Sequence, residues 1–347
     1  MSSKDKATEK RVIDMGNSMD DYVIITDAAA DIPYDIVEKG FGVTVIPIKI
    51  KMKGDTFEHF PDFRNMSSAE FYPMIRMGAL PSTIPISRET YMEVFEEKLK
   101  VGKNIIYIGI AGGLSESLQT AADVSEELKA KYPSQRISII DSKNASTGLG
   151  LLVIEAIRLK ESTVSYDEAV NILQEKRDKV RNYFFVDDIC HLKRSGKIAR
   201  TEQSAAAALK IRTVFKVDTS GKLAITTKVR GNPNALDYLS KKVCEEADPE
   251  SVINIASAAG KDRVDKLKEL LIEKLSSEAA ADDSGTAHVV SISDRIDQKL
   301  EFLDIRTDGS IDSVSDSVEQ RLKVSDMSLI GGTHSGPGTV AVAFYAR

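Results

Sequence analysis

From Tyr22 onward, short apolar runs alternate with segments of helical spacing. Asp21 to Thr26 is an apolar run stopped by Asp27, and Asp31-Ile32-Pro33 offers a helix cap with proline just inside the start, so strand, loop and helix are predicted. Gly40 and Gly42 end that helix, and the β-branched run Val43 to Ile50, interrupted by one proline, predicts a second strand. Ser67 and Glu70 have capping-box spacing for a helix through Phe71, Met74 and Ile75, with Pro73 in its first turn. Two prolines stiffen Leu80-Pro-Ser-Thr83-Ile-Pro-Ile-Ser87 into a hydroxyl-bearing loop, and Ser87 can cap a helix from Arg88 to Leu99. Asn104 to Ile110 is continuously apolar, as a parallel strand covered on both faces would be. The glycine loop Ala111-Gly112-Gly113-Leu114-Ser115 then opens a helix with apolar positions at Leu114, Leu118, Ala121 and Leu128. A strand, a glycine turn and a helix start together present free N–H groups to an anion. A strand at Arg136 to Ile140, ended by Asp141, precedes helices at Gly148 to Leu159 and Ser165 to Val180. Residues 21–182 therefore predict an N-terminal α/β domain built on a doubly wound parallel sheet.

The rhythm changes at Tyr183. A short strand leads through Asp187-Asp188 into the basic cluster Lys193, Arg194 and Lys197, which is either a solvated helix end or a cationic site. Two β runs, Ile211 to Val217 and Leu223 to Val229, flank Asp218-Thr-Ser-Gly221 and predict a hairpin. Helices around Ala235 to Glu246 and Asp262 to Leu275 enclose a strand at Val252 to Ser257. Ser276 to Thr286 reads as an exposed loop, and Leu300 to Ile305 as a strand-like piece in an otherwise illegible stretch. Residues 183–347 thus predict a C-terminal α+β domain, and the polar residues 1–20 a tail. Near the end, Ile330-Gly331-Gly332-Thr333-His334-Ser335-Gly336-Pro337-Gly338 combines backbone freedom with hydroxyls and a histidine, and the strand Val340 to Tyr345 follows. The stretch is either a binding loop or a glycine-rich turn with His334 in solvent.

Composition narrows the functions. At 347 residues the chain suits two domains, and 42% hydrophobic with 29% charged residues is the make-up of a soluble globular protein. No apolar run approaches the roughly 20 residues that span a bilayer, so no integral membrane segment is expected. A net charge of −6 argues against a nucleic-acid partner. Cys190 and Cys244, far apart in helical segments, suggest neither a disulfide framework nor a Cys-based metal site, and fit a reducing cytoplasm. His59, His191, His288 and His334 lack metal-ligand spacing, so no metal is expected. No phosphate-binding P-loop occurs, and Gly148-Leu-Gly150 lacks the third glycine of a dinucleotide fingerprint. Asp27, Asp31, Asp141 and the Asp187-Asp188 pair read first as caps of turns and helices. A hydrolase using Ser115 and His334, with Asp27 or Asp141, is the enzymatic alternative, although Gly113-Leu-Ser115-Glu-Ser117 lacks the second glycine of a nucleophile elbow.

From about Tyr22 to the C-terminus the chain resembles the DegV family of bacterial fatty acid-binding proteins, the binding subunits of a fatty acid kinase. The resemblance rests on Thr26-Asp27-Ala-Ala-Ala-Asp31, Leu80 to Ser87, Gly113-Leu-Ser115, Ile140 to Gly150, Phe185 to Ile198, Val229-Arg230-Gly231 and Gly332 to Gly338, in family order and at nearly family spacing. It implies a two-domain α/β protein that is not itself an enzyme and needs no cofactor. One long-chain fatty acid would lie between the domains, its carboxyl group at a polar mouth held by Thr83, Ser115 and His334, with Gly113 and Thr333 in the same motifs. A separate fatty acid kinase catalytic subunit would be the partner, and Arg194, Lys197 and Arg230 would face the phosphate or that partner. There are departures: the family's Thr-Ser-Gln-Pro-Ser reads Thr83-Ile-Pro-Ile-Ser87, its Ser-Ser-Gly-Leu-Ser-Gly-Thr reads Ala111-Gly-Gly-Leu-Ser115-Glu-Ser117, its Lys-Arg-Gly-Gly-Arg reads Lys193-Arg-Ser-Gly-Lys197, and residues 276–324 are longer than the family's equivalent.

Overall fold

The computed structural model describes residues 21–38, 42–199, 210–282 and 314–347. The expected N-terminal tail and the strand-like piece Leu300 to Ile305 lie outside the described residues. The first sheet is all parallel, in the order β2 (Val43–Ile46), β1 (Tyr22–Asp27), β6 (Asn104–Gly109), β7 (Ile137–Asp141). Every residue of β6 is buried, as its unbroken apolar sequence requires of a strand covered on both faces. The run from Val43 to Ile50 is two strands rather than one. Proline has no N–H to donate to a ladder, and at Pro47 the chain passes from β2 to β3 (Ile48–Met52), the centre of a separate antiparallel sheet with β4 (Asp55–His59) and β5 (Ser82–Ile84). β5 lies within the stretch expected to be loop.

Helices form where local signals place them. α1 (Tyr34–Glu38) follows Pro33. α2 (Ser68–Arg76) has both bonds of the Ser67/Glu70 capping box, and α3 (Arg88–Lys100) is capped by Ser87. α4 (Ser117–Lys131) begins later than the apolar spacing suggested, leaving Leu114 in the preceding turn. α5 (Ser146–Glu161) and α6 (Tyr166–Lys179) complete the first half.

The second sheet has six strands, in the order β10 (Leu223–Arg230), β9 (Ile211–Val217), β8 (Val180–Val186), β13 (Val340–Tyr345), β11 (Ile253–Ser257), β12 (Leu322–Asp326), with only β11 and β12 parallel. Because β8 starts at Val180, the expected cut between residues 182 and 183 falls inside a strand. Strand periodicity sorts its side chains: Tyr183, Phe185, Val340, Val342 and Phe344 pack with α8 (Gly231–Glu246) and α9 (Lys261–Asp282), while Phe184, Val186 and Ala341 join the core of the first sheet. α9 runs to Asp282, so the first residues of the expected loop from Ser276 are helical. α7 (Cys190–Arg194) follows β8, and α10 (Val314–Arg321) precedes β12.

α5 joins the two halves. It meets β1 and β6 on one side and β8, β11 and β13 on the other, and is buried almost all round. The two-domain α/β architecture is therefore two sheets sharing one central helix. Gly150 has no room for a methyl against the Asp31 carbonyl, which lets α5 close on the first domain.

Candidate binding site

The largest change from the sequence reading is at residues 330–338. Leu329–Ser335 is a helix, α11, capped by the Ser328 side chain, and only Gly336 (φ 82°) and Gly338 (φ 89°) need left-handed backbone. Glycine is a poor helix former, so tertiary contact sets the conformation. A methyl on Gly332 would overlap the Tyr72 hydroxyl, one on Gly336 would overlap His191, and one on Gly338 would strike Asp187. The glycines serve close packing rather than a loop wrapped on a ligand.

α11 places His334 at a cavity of ≈ 470 Å³ formed by the 80–87 stretch, the turn after β6, the segment after α7 and α11. Ile48, Leu80, Ile84, Ile110, Leu114 and Ile330 give it apolar walls; its polar lining includes Thr83, Ser115, Ser117, His334, the cations Arg194 and Lys197 and one carboxylate, exposed Glu116. It takes in Ile110 and the turn beyond the carboxyl end of the parallel strand β6, the side on which open α/β sheets commonly bind ligands.

Thr83 Oγ1 and His334 Nε2 are 3.1 Å apart and share a hydrogen bond although 251 residues separate them. Burial, then the charges of Lys197 and Arg194, push His334 down to about 3, so the ring is neutral at pH 7. Its Nδ1 is buried and unpartnered among the described residues. Ser115 Oγ accepts the Ser117 N–H at 3.2 Å, which leaves the Ser115 proton free to donate. Lys197 donates to the Leu114 carbonyl, and burial lowers its pKa. Arg194 is exposed and donates to His191 Nδ1 at 3.2 Å; burial first, then Arg194, lowers the pKa of His191.

Other expected residues lie elsewhere. Thr333 is 1% exposed and its hydroxyl donates to Leu329 O at 2.7 Å, so it is spent inside α11. Gly113 abuts the Ser220 carbonyl of the β9–β10 turn, where a Cβ would come within 2.9 Å. Arg230 is exposed at the N-cap of α8 and does not line the cavity. The expected row of free amides is largely used up: Leu114 N and Ser115 N both donate to Ala111 O, at 2.8 and 3.1 Å, and Ala111 N donates to Asn144 O.

A buried polar chain behind the cavity escaped the sequence reading. Asp27, 0% exposed, accepts Ala29 N, Ile110 N and the Tyr107 hydroxyl; Tyr107 meets the Tyr91 hydroxyl at 2.8 Å, and the neighbouring Ser117 hydroxyl accepts Ile86 N. Burial raises the Asp27 pKa against those three bonds. Asp141 and Asp188 cap turns through Lys143 N and Cys190 N, as read, while Asp187 pairs with Arg212 and, bidentately, with Arg263. Residues so far apart in sequence carry no local signal of these contacts.

The hydrolase alternative is not supported. Ser115 and His334 share no hydrogen bond, His334 Nε2 belongs to Thr83, and no carboxylate stands behind Nδ1 among the described residues. No group of three or more His, Cys, Asp or Glu side chains there is placed to hold a metal ion, and no described helix is long and apolar enough to cross a membrane.

The model of a protein family described as "Uncharacterised protein, DegV family" matches residues 21–292. The chain belongs to the DegV family. This DegV chain is 31% identical over 259 residues to a DegV domain-containing protein of Clostridium perfringens, covering 74% of this chain and 88% of that one. Its fold matches the fatty acid binding DegV family protein of Streptococcus agalactiae with a TM-score of 0.70 at 22% identity, over 94% of this chain and 99% of the other. It also matches a Ruminococcus gnavus DegV family protein whose structure holds vaccenic acid, with a TM-score of 0.72 at 17% identity, over 94% and 100%.

Proposed function

We propose that this DegV chain binds one long-chain fatty acid between its domains and presents the carboxyl group to a separate kinase, carrying the acyl phosphate that results. The observation that carries the reading is the composition of the cavity. Apolar walls lead to polar groups where Thr83, Ser115 and His334 converge with two cations and the exposed carboxylate of Glu116, and one buried ring nitrogen of His334 has no partner among the described residues. Burying a saturated tail contributes roughly 0.8 kcal/mol per methylene, so a dozen supply on the order of 10 kcal/mol before association costs. The head then sets orientation. The free Ser115 proton and the Thr83/His334 pair suit a carboxylate, each such bond contributing roughly 1.5 to 3 kcal/mol. The fatty acid ligands of the Streptococcus agalactiae and Ruminococcus gnavus proteins support the same ligand class.

Arg194 and Lys197 lie at the mouth, where new negative charge on a phosphorylated head would be stabilised, and exposed Arg230 is available to an acidic partner surface. Native mass spectrometry of the protein purified from a bacterial host is the direct test. A co-purified fatty acid of one chain-length range is expected. A lipid-free preparation that also fails to bind added palmitate would refute the reading.

A further inference from the structure

α11 belongs by sequence to the second half of the chain but is seated on the first domain. Leu329 and Ile330 are buried, Gly332 rests on Tyr72, and the Tyr72 hydroxyl donates to Met327 O at 3.4 Å. The first amides of a helix have no partner inside it and must find one elsewhere. Here two of them, at the cap and the first helical position, are met by buried side chains of the first domain. Ser328 N donates to Asp31 Oδ1 at 2.8 Å, and Leu329 N donates to His59 Nε2 at 3.3 Å. The other Asp31 oxygen accepts the Ser146 hydroxyl, so one carboxylate ties the turn after β1 to the starts of α5 and α11. His59, 2% exposed at the end of β4, is steadied by an edge contact with Phe63 at 5.0 Å. Neither residue lines the cavity.

We infer that Asp31 and His59 are positioning residues: by accepting the leading amides of α11 they fix where His334, about one and a half turns along that helix, stands beside Thr83. This rests on the proposed role of His334 at the head group. Orphaning a buried amide is costly, so loss of either acceptor favours release of the helix start into water. The groups facing these residues set how acid acts on them. Burial pushes the Asp31 carboxyl up to about 6 against the bonds from Ser146 and Ser328, with Asp326 adding to the rise, and the neutral Tyr72 hydroxyl lies nearby. Burial holds His59 down at about 4, with Asp62 opposing. His334 itself faces Lys197 and Arg194. A protonated His59 has no lone pair left for Leu329 N–H.

The test uses the full-length, lipid-free chain with its histidines labelled for NMR. Of the four histidines, His334 is assigned by His334→Gln and followed from pH 4 to 7.5. In the wild type its ring stays neutral through pH 5. Asp31→Ala and His59→Ala should each raise its midpoint by about two pH units or more, into the followed range and towards the ordinary value near 6.5, as the ring gains water. They should also weaken palmitate binding about tenfold or more. Asp31→Asn and His59→Gln, which keep an acceptor, should restore both properties. An unchanged His334 midpoint in two folded alanine variants overturns the inference. A moved midpoint with unchanged palmitate affinity upholds positioning and instead overturns the head-group role of His334. If an alanine variant does not fold, amide exchange in the wild type decides: Ser328 and Leu329 should be as protected as α5, and exchange at the unprotected rate overturns the inference.

Discussion

The Thr83–His334 pair offers the sharpest test of the proposed mouth. Thr83→Val and His334→Ala, made singly and together, each remove a group that would bind a carboxylate and also break their mutual 3.1 Å bond. A hydrogen bond to a charged acceptor contributes roughly 1.5 to 3 kcal/mol, so each single variant should bind palmitate about 10- to 150-fold more weakly. The shared neutral bond is worth about 1 kcal/mol. Because that bond holds each group in place for the head, each single variant also loosens the partner left behind, and the double variant should fall short of the summed losses by about that amount, or roughly fivefold in affinity. Calorimetric titration of delipidated protein at pH 7.5 measures all four corners, with urea unfolding run in parallel to confirm the fold. The His334 pKa of about 3 is depressed from 6.5, so its contribution to stability is present above pH 6.5 and is lost as pH falls through 3. The ring is therefore uncharged throughout the assay range. Losses that add to within about 0.3 kcal/mol, or single variants that bind like wild type, would refute the pairing and the placement of the mouth.

Four further outcomes follow from other contacts. Arg194→Gln and Arg230→Gln should leave palmitate loading within a few-fold of wild type while sharply reducing acyl phosphate formation with a cognate kinase; equal loss in both assays would assign these residues to the lipid site. Lys197→Met should also weaken loading, about tenfold, because Lys197 holds the Leu114 carbonyl of the turn that carries Ser115. Gly332→Ala should cost about 1 to 3 kcal/mol in urea unfolding through overlap with the Tyr72 hydroxyl, and Tyr72→Phe should recover part of it; an Ala variant as stable as wild type would show that the helix has slack there. Asp31, raised from 3.8 to about 6, contributes stability that is present below pH 4 and lost as pH rises through 6, about 3 kcal/mol in all, so Asp31→Asn should remove that much of the difference in unfolding free energy between pH 4 and pH 7.5.

What the amino-acid sequence determined by itself is what short-range physics decides. The buried run of β6, the Ser67/Glu70 capping box, the Ser87 and Ser165 caps and the hairpin around Asp218 to Gly221 all depend on residues a few positions apart, and all are present in the structure. The same run of local signals made the parallel first sheet legible. Tertiary structure decided the rest. Val43 to Ile50 reads as one strand despite Pro47, and only the pairing of β3 with β4 and β5 shows that the chain changes sheets there. No local signal says that α5 is shared by two sheets, although its near-continuous apolar sequence is consistent with it. The glycine-rich stretch misled most, because glycine's local preference is for loops, whereas here it is outweighed by close packing on Tyr72 and His191 and by acceptors from Asp31 and His59. Thr83 and His334 were each visible as candidates, but their hydrogen bond was not. Which side chain completes a helix end, or stands 3.1 Å from a histidine, is set by segments hundreds of residues apart, and only packing brings those together.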